Sequence, residues 1–328
     1  MKTGTCFRGI LFILLSTISS TLAPAQVREA WTARFRDPGG MGDVPQGMVL
    51  TPDGVVVVGL SQYPDGINQV MTLKYSFDGR LLWQVPYRSG PSNFTYTVRL
   101  AGDGAGGVYV AAMTSTNRSV DGSQILVLLN FDAEGRLSRL SRLGSALAAR
   151  PSALKVDASG NVLLHGTLGT STGTVYLTIK FDPAGQLLWS RDYAGPARQD
   201  EAGQMTLDAM GNVYVTGRSP ASNAINDVAT LKYALDGTRL WVRRFAAADP
   251  LASDAGRDLA IDGDNNLYVA GGGDLGFLTL RYTTEGEQVW SASRTNELGT
   301  SPADFIAVDG RRSFGCGHGN IGDYLVPD

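Results

Sequence analysis

The chain has 328 residues, 28 Lys and Arg against 31 Asp and Glu, a net charge of −3, two cysteines and two histidines. A slightly acidic balance with no long basic run argues against nucleic acid as a partner, because phosphate binding needs a concentrated cationic surface. The 41 glycines and few charged side chains suit many short strands joined by tight turns.

At the N-terminus, Lys2 and Arg8 flank the start of an apolar run, Ile10 to Leu15, and small residues lead to Ala23-Pro-Ala25. This is the pattern of a secretory signal with a small-x-small cleavage site, and the run is far shorter than the roughly 20 residues of a bilayer span. Residues 1–25 are therefore expected to be removed, leaving a single domain at 26–328 that is exported to the periplasm or beyond the cell. Cys6 precedes the apolar run, so it is not a lipid-attachment cysteine. The mature chain keeps only Cys316, which rules out an intrachain disulfide, and no later segment is apolar enough to hold it in a membrane. From Gln26 onward there are 26 Lys and Arg against 31 Asp and Glu.

The rest of the chain is a repeat. A turn rich in Asp and Gly is followed four residues later by Trp, in Gly79-Arg-Leu-Leu-Trp83, Gly185-Gln-Leu-Leu-Trp189, Gly237-Thr-Arg-Leu-Trp241 and Gly286-Glu-Gln-Val-Trp290. Gly135 opens a fifth copy in which Arg139 takes the Trp position, and Trp31 supplies a further marker. The fourth unit shows the strand content: Trp189 to Tyr193, Gln204 to Leu207, Asn212 to Thr216 and Val228 to Tyr233, each short and rich in β-branched or aromatic residues. The turn Asp208-Ala-Met-Gly211-Asn212 recurs as Asp157-Ala-Ser-Gly160-Asn161 and as Asp262-Gly-Asp-Asn265-Asn266. Helical periodicity is not sustained over three turns anywhere in the mature chain.

Units of about 50 residues with four strands each have the size of propeller blades, and one such unit cannot bury both of its faces alone. The expected fold is all-β: a β-propeller of about six four-stranded blades, with Trp filling the wedge between neighbouring sheets. The chain ends at Asp323-Tyr-Leu-Val-Pro-Asp328, where a third strand would begin and the Trp strand is missing. Trp31 to Phe35 is expected to complete that last blade and close the ring; a truncated longer array is the alternative.

The segment Asp200 to Gly217, with Ala229-Thr-Leu-Lys-Tyr233 and Leu240-Trp241, resembles the bacterial β-propeller repeat called SBBP. Leu50 to Gly59 is similar to the related delta-60 repeats. The resemblance covers essentially the whole mature chain and implies the fold and an exported bacterial protein. It implies no shared catalytic residues, and its name implies seven blades.

Chemistry is sparse. His165 replaces an ordinary strand residue of the sister units and reads as structural. Cys316 and His318 could form a Cys–His pair or two metal ligands, but they sit in a Gly-rich loop with no third ligand identified. Five residues before the start of each inner strand stand Asp43, Asn93, Ala149, Asp200 and Asp254. Asp43, Asn93, Asp200 and Asp254 are the candidate ligand-binding residues, since side chains converging at a channel mouth could hold Ca²⁺ or hydrogen-bond a sugar. The competing account is that Asp and Asn cap the turn entering each strand. No catalytic residues and no cofactor other than Ca²⁺ are indicated. Asp262 to Asn266 resembles the start of a calcium loop but lacks the sixth-position Gly and later Glu, and occupies a repeat hairpin. The sequons at Asn93 and Asn117 are incidental on a bacterial reading.

The expected function is binding of a protein or glycan through one loop face. The loops after each Trp strand, such as Arg36 to Gly40 and Ala246 to Pro250, differ most between units. The alternatives are a hydrolase, lyase or quinoprotein-like enzyme acting at an acidic channel mouth, and a structural cell-surface protein. Against a quinoprotein, the chain has no adjacent cysteine pair and fewer blades than such enzymes.

Overall fold

The computed structural model describes residues 30–88, 94–115, 124–144, 149–221, 226–246, 253–273, 276–294, 303–309, 312–317 and 324–325. These residues contain strands and turns and no helix. The chain divides after Thr32, and every sheet lies in the unit that begins at Ala33.

Five antiparallel sheets have four strands each, joined in simple up-and-down order. The first holds β1 (Gly42–Thr51), β2 (Gly54–Gln62), β3 (Asn68–Ser76) and β4 (Leu81–Tyr87). The second holds β5 (Phe94–Gly102), β6 (Val108–Ser115), β7 (Gln124–Phe131) and β8 (Leu137–Leu143). The third runs through β9 (Arg150–Val156), β10 (Val162–Thr170), β11 (Gly173–Phe181) and β12 (Leu187–Tyr193). The fourth is β13 (Glu201–Leu207), β14 (Val213–Pro220), β15 (Asn226–Tyr233) and β16 (Arg239–Phe245). The fifth is β17 (Asp254–Ile261), β18 (Leu267–Gly273), β19 (Gly276–Tyr282) and β20 (Gln288–Arg294). The last sheet has three strands, β21 (Ala303–Asp309), β22 (Arg312–Gly317) and β23 (Tyr324–Leu325). The Trp strand is therefore the fourth of its own sheet, so each blade runs from inner strand to Trp strand.

The first strands of successive sheets contact one another in order, β1 with β5, β5 with β9, and so on to β17 with β21. Stacked sheets bury apolar clusters between them, as where Leu126 and Leu128 of the second sheet meet Leu154, Leu177 and Phe181 of the third. The arrangement is a β-propeller.

The repeated turns have a common mechanism. In Asp208 to Asn212, the Asp208 carboxylate accepts from the backbone N–H of Met210 (3.0 Å) and Asn212 (2.9 Å) and from Asn212 Nδ2 (2.7 Å). Asp157 and Asp262 do the same for their own turns. The chain then passes through Gly211 at φ 79°, a left-handed residue that closes a three-residue hairpin. Asn265 takes that place at φ 64° in the fifth sheet, because Asn tolerates left-handed backbone better than other side chains. The Asp262 carboxylate is thus consumed by its hairpin, in line with rejecting this segment as a calcium loop.

The Trp residues explain their pairing with Gly across sheets. Trp189 Nε1 donates to Leu235 O of the next sheet at 3.0 Å, and a Cβ on Gly237 would lie 2.7 Å from its ring. Trp83 and Trp241 repeat this with Ala133 O (2.9 Å) and Gly135, and with Thr284 O (3.0 Å) and Gly286. Lys74 and Lys232 reach the same carbonyls, Ala133 O and Thr284 O, at 3.1 Å each. The turn glycine thus gives its left-handed backbone to its own hairpin and its bare face to the preceding sheet's indole.

The expected closing strand is corrected. Trp31 to Phe35 carries no strand and joins no sheet. Phe35 packs instead on Met71, Leu73 and Tyr75 of the first sheet. The following turn is tied down by Asp37, whose carboxylate accepts from the Tyr63 hydroxyl. Those local contacts hold Phe35 and Asp37 to the first blade.

Candidate functional site

Every first strand carries a register irregularity at the same place. The break falls at Pro45/Gly47 in β1, Thr95/Thr97 in β5, and opposite His165/Gly166 in β9. It recurs at Ala202/Met205 in β13, Gly256/Asp258 in β17 and Ala303/Phe305 in β21. A β-bulge leaves a residue outside the ladder and re-aims its side chain. Four of these bulges supply Ser152, Gly203 with Gln204, Arg257 and Asp304, and all of them line one cavity of about 760 Å³. Arg99, Glu201, Arg218 and Phe305 complete its charged and aromatic wall. Its volume lies within the roughly 300–1,000 Å³ of small-molecule sites.

Glycine lets the walls approach. A Cβ on Gly256 would lie 2.1 Å from Thr216 Oγ1, so no other residue fits between β17 and the fourth sheet there.

Three guanidinium groups face this space. Arg218 pairs with Glu201 at 3.1 Å, and Arg257 with Asp304 at 3.3 Å. Arg99 has no acidic partner among the described residues. Its Nε donates to Ser152 O in the next sheet at 2.6 Å and its Nη1 to Val98 O at 2.9 Å. Burial alone lowers its pKa, because no nearby anion offsets the lost solvation. Asp258, beside the Arg257 bulge, has its carboxyl pushed up by burial. Its two oxygens accept from the N–H groups of Leu259 and Ile306 at 2.9 Å each, which makes it a link between the fifth and sixth sheets.

The sequence-predicted residues take other places. Asp43 Oδ1 accepts from Ser61 Oγ at 2.6 Å and Oδ2 from the Asp37 N–H at 3.1 Å. Asp200 is buried and its Oδ2 accepts from the Gly195 N–H at 2.7 Å. Asp254 opens β17 and is buried. Asn93 lies outside the described residues, as does His318. The partners of Asp43 and Asp200 are the turn-holding kind, and none of Asp43, Asp200 and Asp254 lines the cavity. Sequence reasoning missed Arg99, Arg218 and Arg257. Arg99 follows Val98 where the sister units carry Lys155, Thr206 and Ala260, and Arg257 stands where they carry Ser152, Gln204 and Asp304.

His165 is fully buried, with Nδ1 3.0 Å from Thr178 Oγ1 and its ring edge-on to Tyr176. Desolvation lowers its pKa to about 3, so it is a neutral core imidazole at ordinary pH. No cluster of three metal-ligating side chains occurs among the described residues. No helix among them is long and apolar enough to cross a membrane.

Solved structures share the fold at low identity. A polysaccharide lyase of a family described as PL25 ulvan lyase, bound to a GlcA–Rha3S saccharide, aligns with TM-score 0.57 and 11% identity. That alignment covers 85% of this chain and 80% of the other. The Pan2 WD40 domain of Neurospora crassa gives 0.54 and 13% over 83% and 71%. The β-propeller domain of the Trilobed protease from Pyrococcus furiosus, described as having an open velcro topology, gives 0.52 and 11% over 85% and 80%. No curated protein matches the chain. Residues 240–274 match the family model of the SBBP β-propeller repeat, so the chain carries an SBBP repeat, the kind its Asp–Gly turns and Trp strands resemble.

Proposed function

We propose that this protein is an exported binding protein, a six-bladed propeller that recognises a glycan or a protein at one face, with residues 1–25 as its export signal. The observation that carries the reading is the series of bulges. A bulge bends its strand, and it also re-aims the residue that it leaves outside the ladder. Here the unpaired residues turn Ser152, Gln204, Arg257 and Asp304 toward one cavity. A rigid ring presenting variable side chains at a common place is a recognition device. The enzyme alternative is less supported, because Glu201 and Asp304 are engaged by arginines and Asp258 by backbone N–H groups. The test is thermal unfolding of the purified protein against a panel of neutral and acidic glycans, and with Ca²⁺ or EDTA. A ligand that binds only the folded state raises stability by mass action, by about 2.7 kcal/mol at a hundredfold excess over Kd. At least one glycan is expected to raise the melting temperature. No shift at millimolar glycan removes the glycan arm and leaves a protein as partner. A shift with Ca²⁺ instead points to the Asp43, Asp200 and Asp254 face.

A further inference from the structure

The charges around the cavity are unequal. Arg218 and Arg257 each hold a carboxylate of the protein, whereas among the described residues Arg99 has only the two backbone carbonyls of Ser152 and Val98. A guanidinium carries five N–H donors, so three of those on Arg99 have no protein acceptor among the described residues. Its two backbone bonds also hold the group in place before any ligand arrives, which reduces the ordering cost of binding. A desolvated cation fixed in this way is a receptor for an anion, and a planar carboxylate matches the fork of donors.

The rest of the wall restricts what carries that anion. Ser152, Gln204 and the half-buried backbone at Gly203 are hydrogen-bonding groups, suited to hydroxyls and ill suited to an acyl chain. One aromatic side chain, Phe305, lines the same cavity and is 64% exposed, although its neighbour Ile306 is buried. An uncovered ring at a polar wall can stack against the C–H face of a sugar. Glu201 and Asp304 on that wall, and the chain's net charge of −3, oppose a polyphosphate or a nucleic acid.

We propose that the cavity binds a carboxylate-bearing saccharide, with Arg99 receiving the carboxylate and Phe305 the sugar face. This rests on the binding function proposed above and names the class of its ligand. Calorimetric titration of the purified protein with digalacturonate, its methyl ester and neutral digalactose tests it. The acid is expected to bind about tenfold or more tighter than either neutral sugar. That advantage should shrink as salt rises from about 0.02 to 0.5 M, as screening requires. Arg99→Gln should remove the preference for the acid, Arg99→Lys should keep part of it, and Phe305→Ala should weaken all three sugars.

Because Arg99 also links two sheets, Arg99→Gln counts only if it melts cooperatively. The ester comparison decides the matter on the unaltered protein. Equal binding of acid and ester overturns this inference while the binding function stands. Binding of no sugar overturns it too and leaves the protein-partner arm. Full acid affinity in a folded Arg99→Gln protein removes Arg99 from the site and sinks the assignment.

Discussion

The joint between the second and third sheets differs from the joints on either side of it. At three others, Trp83, Trp189 and Trp241 donate to a carbonyl of the next sheet and lie on its turn glycine. At this one Arg139 occupies the Trp position, with Nη1 2.8 Å from where a Cβ on Gly185 would stand. No lysine supports it either, because Asn130 takes the place of Lys74 and Lys232 and bonds within its own sheet. The inner end of the same joint carries Arg99, which donates across to Ser152 O. The joint is therefore lightly fastened at its outer end and tied at its inner end. Repeated geometry survives a change of side chain because the apolar cluster between the sheets supplies most of the cohesion.

Removing an indole should have the largest effect. Trp241→Ala is expected to cost about 3–5 kcal/mol, from lost burial and the cavity left behind. Arg139→Ala should cost well under about 1 kcal/mol, as a substitution away from core contacts. Denaturant unfolding measures both, and equal losses would mean that the joints are energetically alike. Next in size, Gly237→Ala combines a left-handed backbone at φ 81° with a contact 2.7 Å from the Trp189 ring, for a loss of about 2 kcal/mol. In a Trp189→Ala background part of that loss should disappear, since the two residues share one contact. A double-mutant cycle reads the coupling, and strict additivity would show that the glycine serves its hairpin alone.

Acid should separate two otherwise similar joints. His165 packs on Tyr176 between the third and fourth sheets, where Thr216 stands at the next joint. Its folded pKa, about 3, lies below the ordinary 6.5. The unfolded chain therefore takes up a proton first as pH falls, and stability drops from about pH 6.5 down to about pH 3. Between pH 7.5 and pH 5 the loss is about 2 kcal/mol. His165→Thr should flatten the fall over that window, and an unchanged slope would assign it to other groups. The smallest effect is a gain: Arg139→Trp should stabilise by about 1 kcal/mol if its indole finds a carbonyl in the third sheet's turn as the others do. No gain in the denaturation midpoint would show that the second joint is shaped for arginine.

Much of the architecture was legible because its causes are local. Asp and Asn at fixed offsets hold the hairpin N–H groups, left-handed glycine closes the turn, and β-branched runs between them pair with their nearest neighbours. The regular Trp marked the space between sheets, since only an interface repeated at every unit demands a large side chain there. The closing strand was misplaced because Trp31 to Phe35 matches the pattern of a fourth strand, while Phe35 and Asp37 find partners on the first sheet that no pattern reveals. Asp43 and Asp200 stand where turn-capping and ligand-binding residues look the same in sequence, and the structure gives Asp43 a backbone and a hydroxyl partner and Asp200 a backbone partner.

Sequence alone therefore determined the unit: its length, its four strands, its turns and the large residue that wedges it against the next. Which side chains share the cavity was decided only by tertiary structure. Arg99 and Arg257 are far apart in sequence and meet because successive first strands are brought around one space. A bulge turns a residue out of alternation without leaving any mark in the hydrophobic pattern, so the site was written in register, which only the paired strands define.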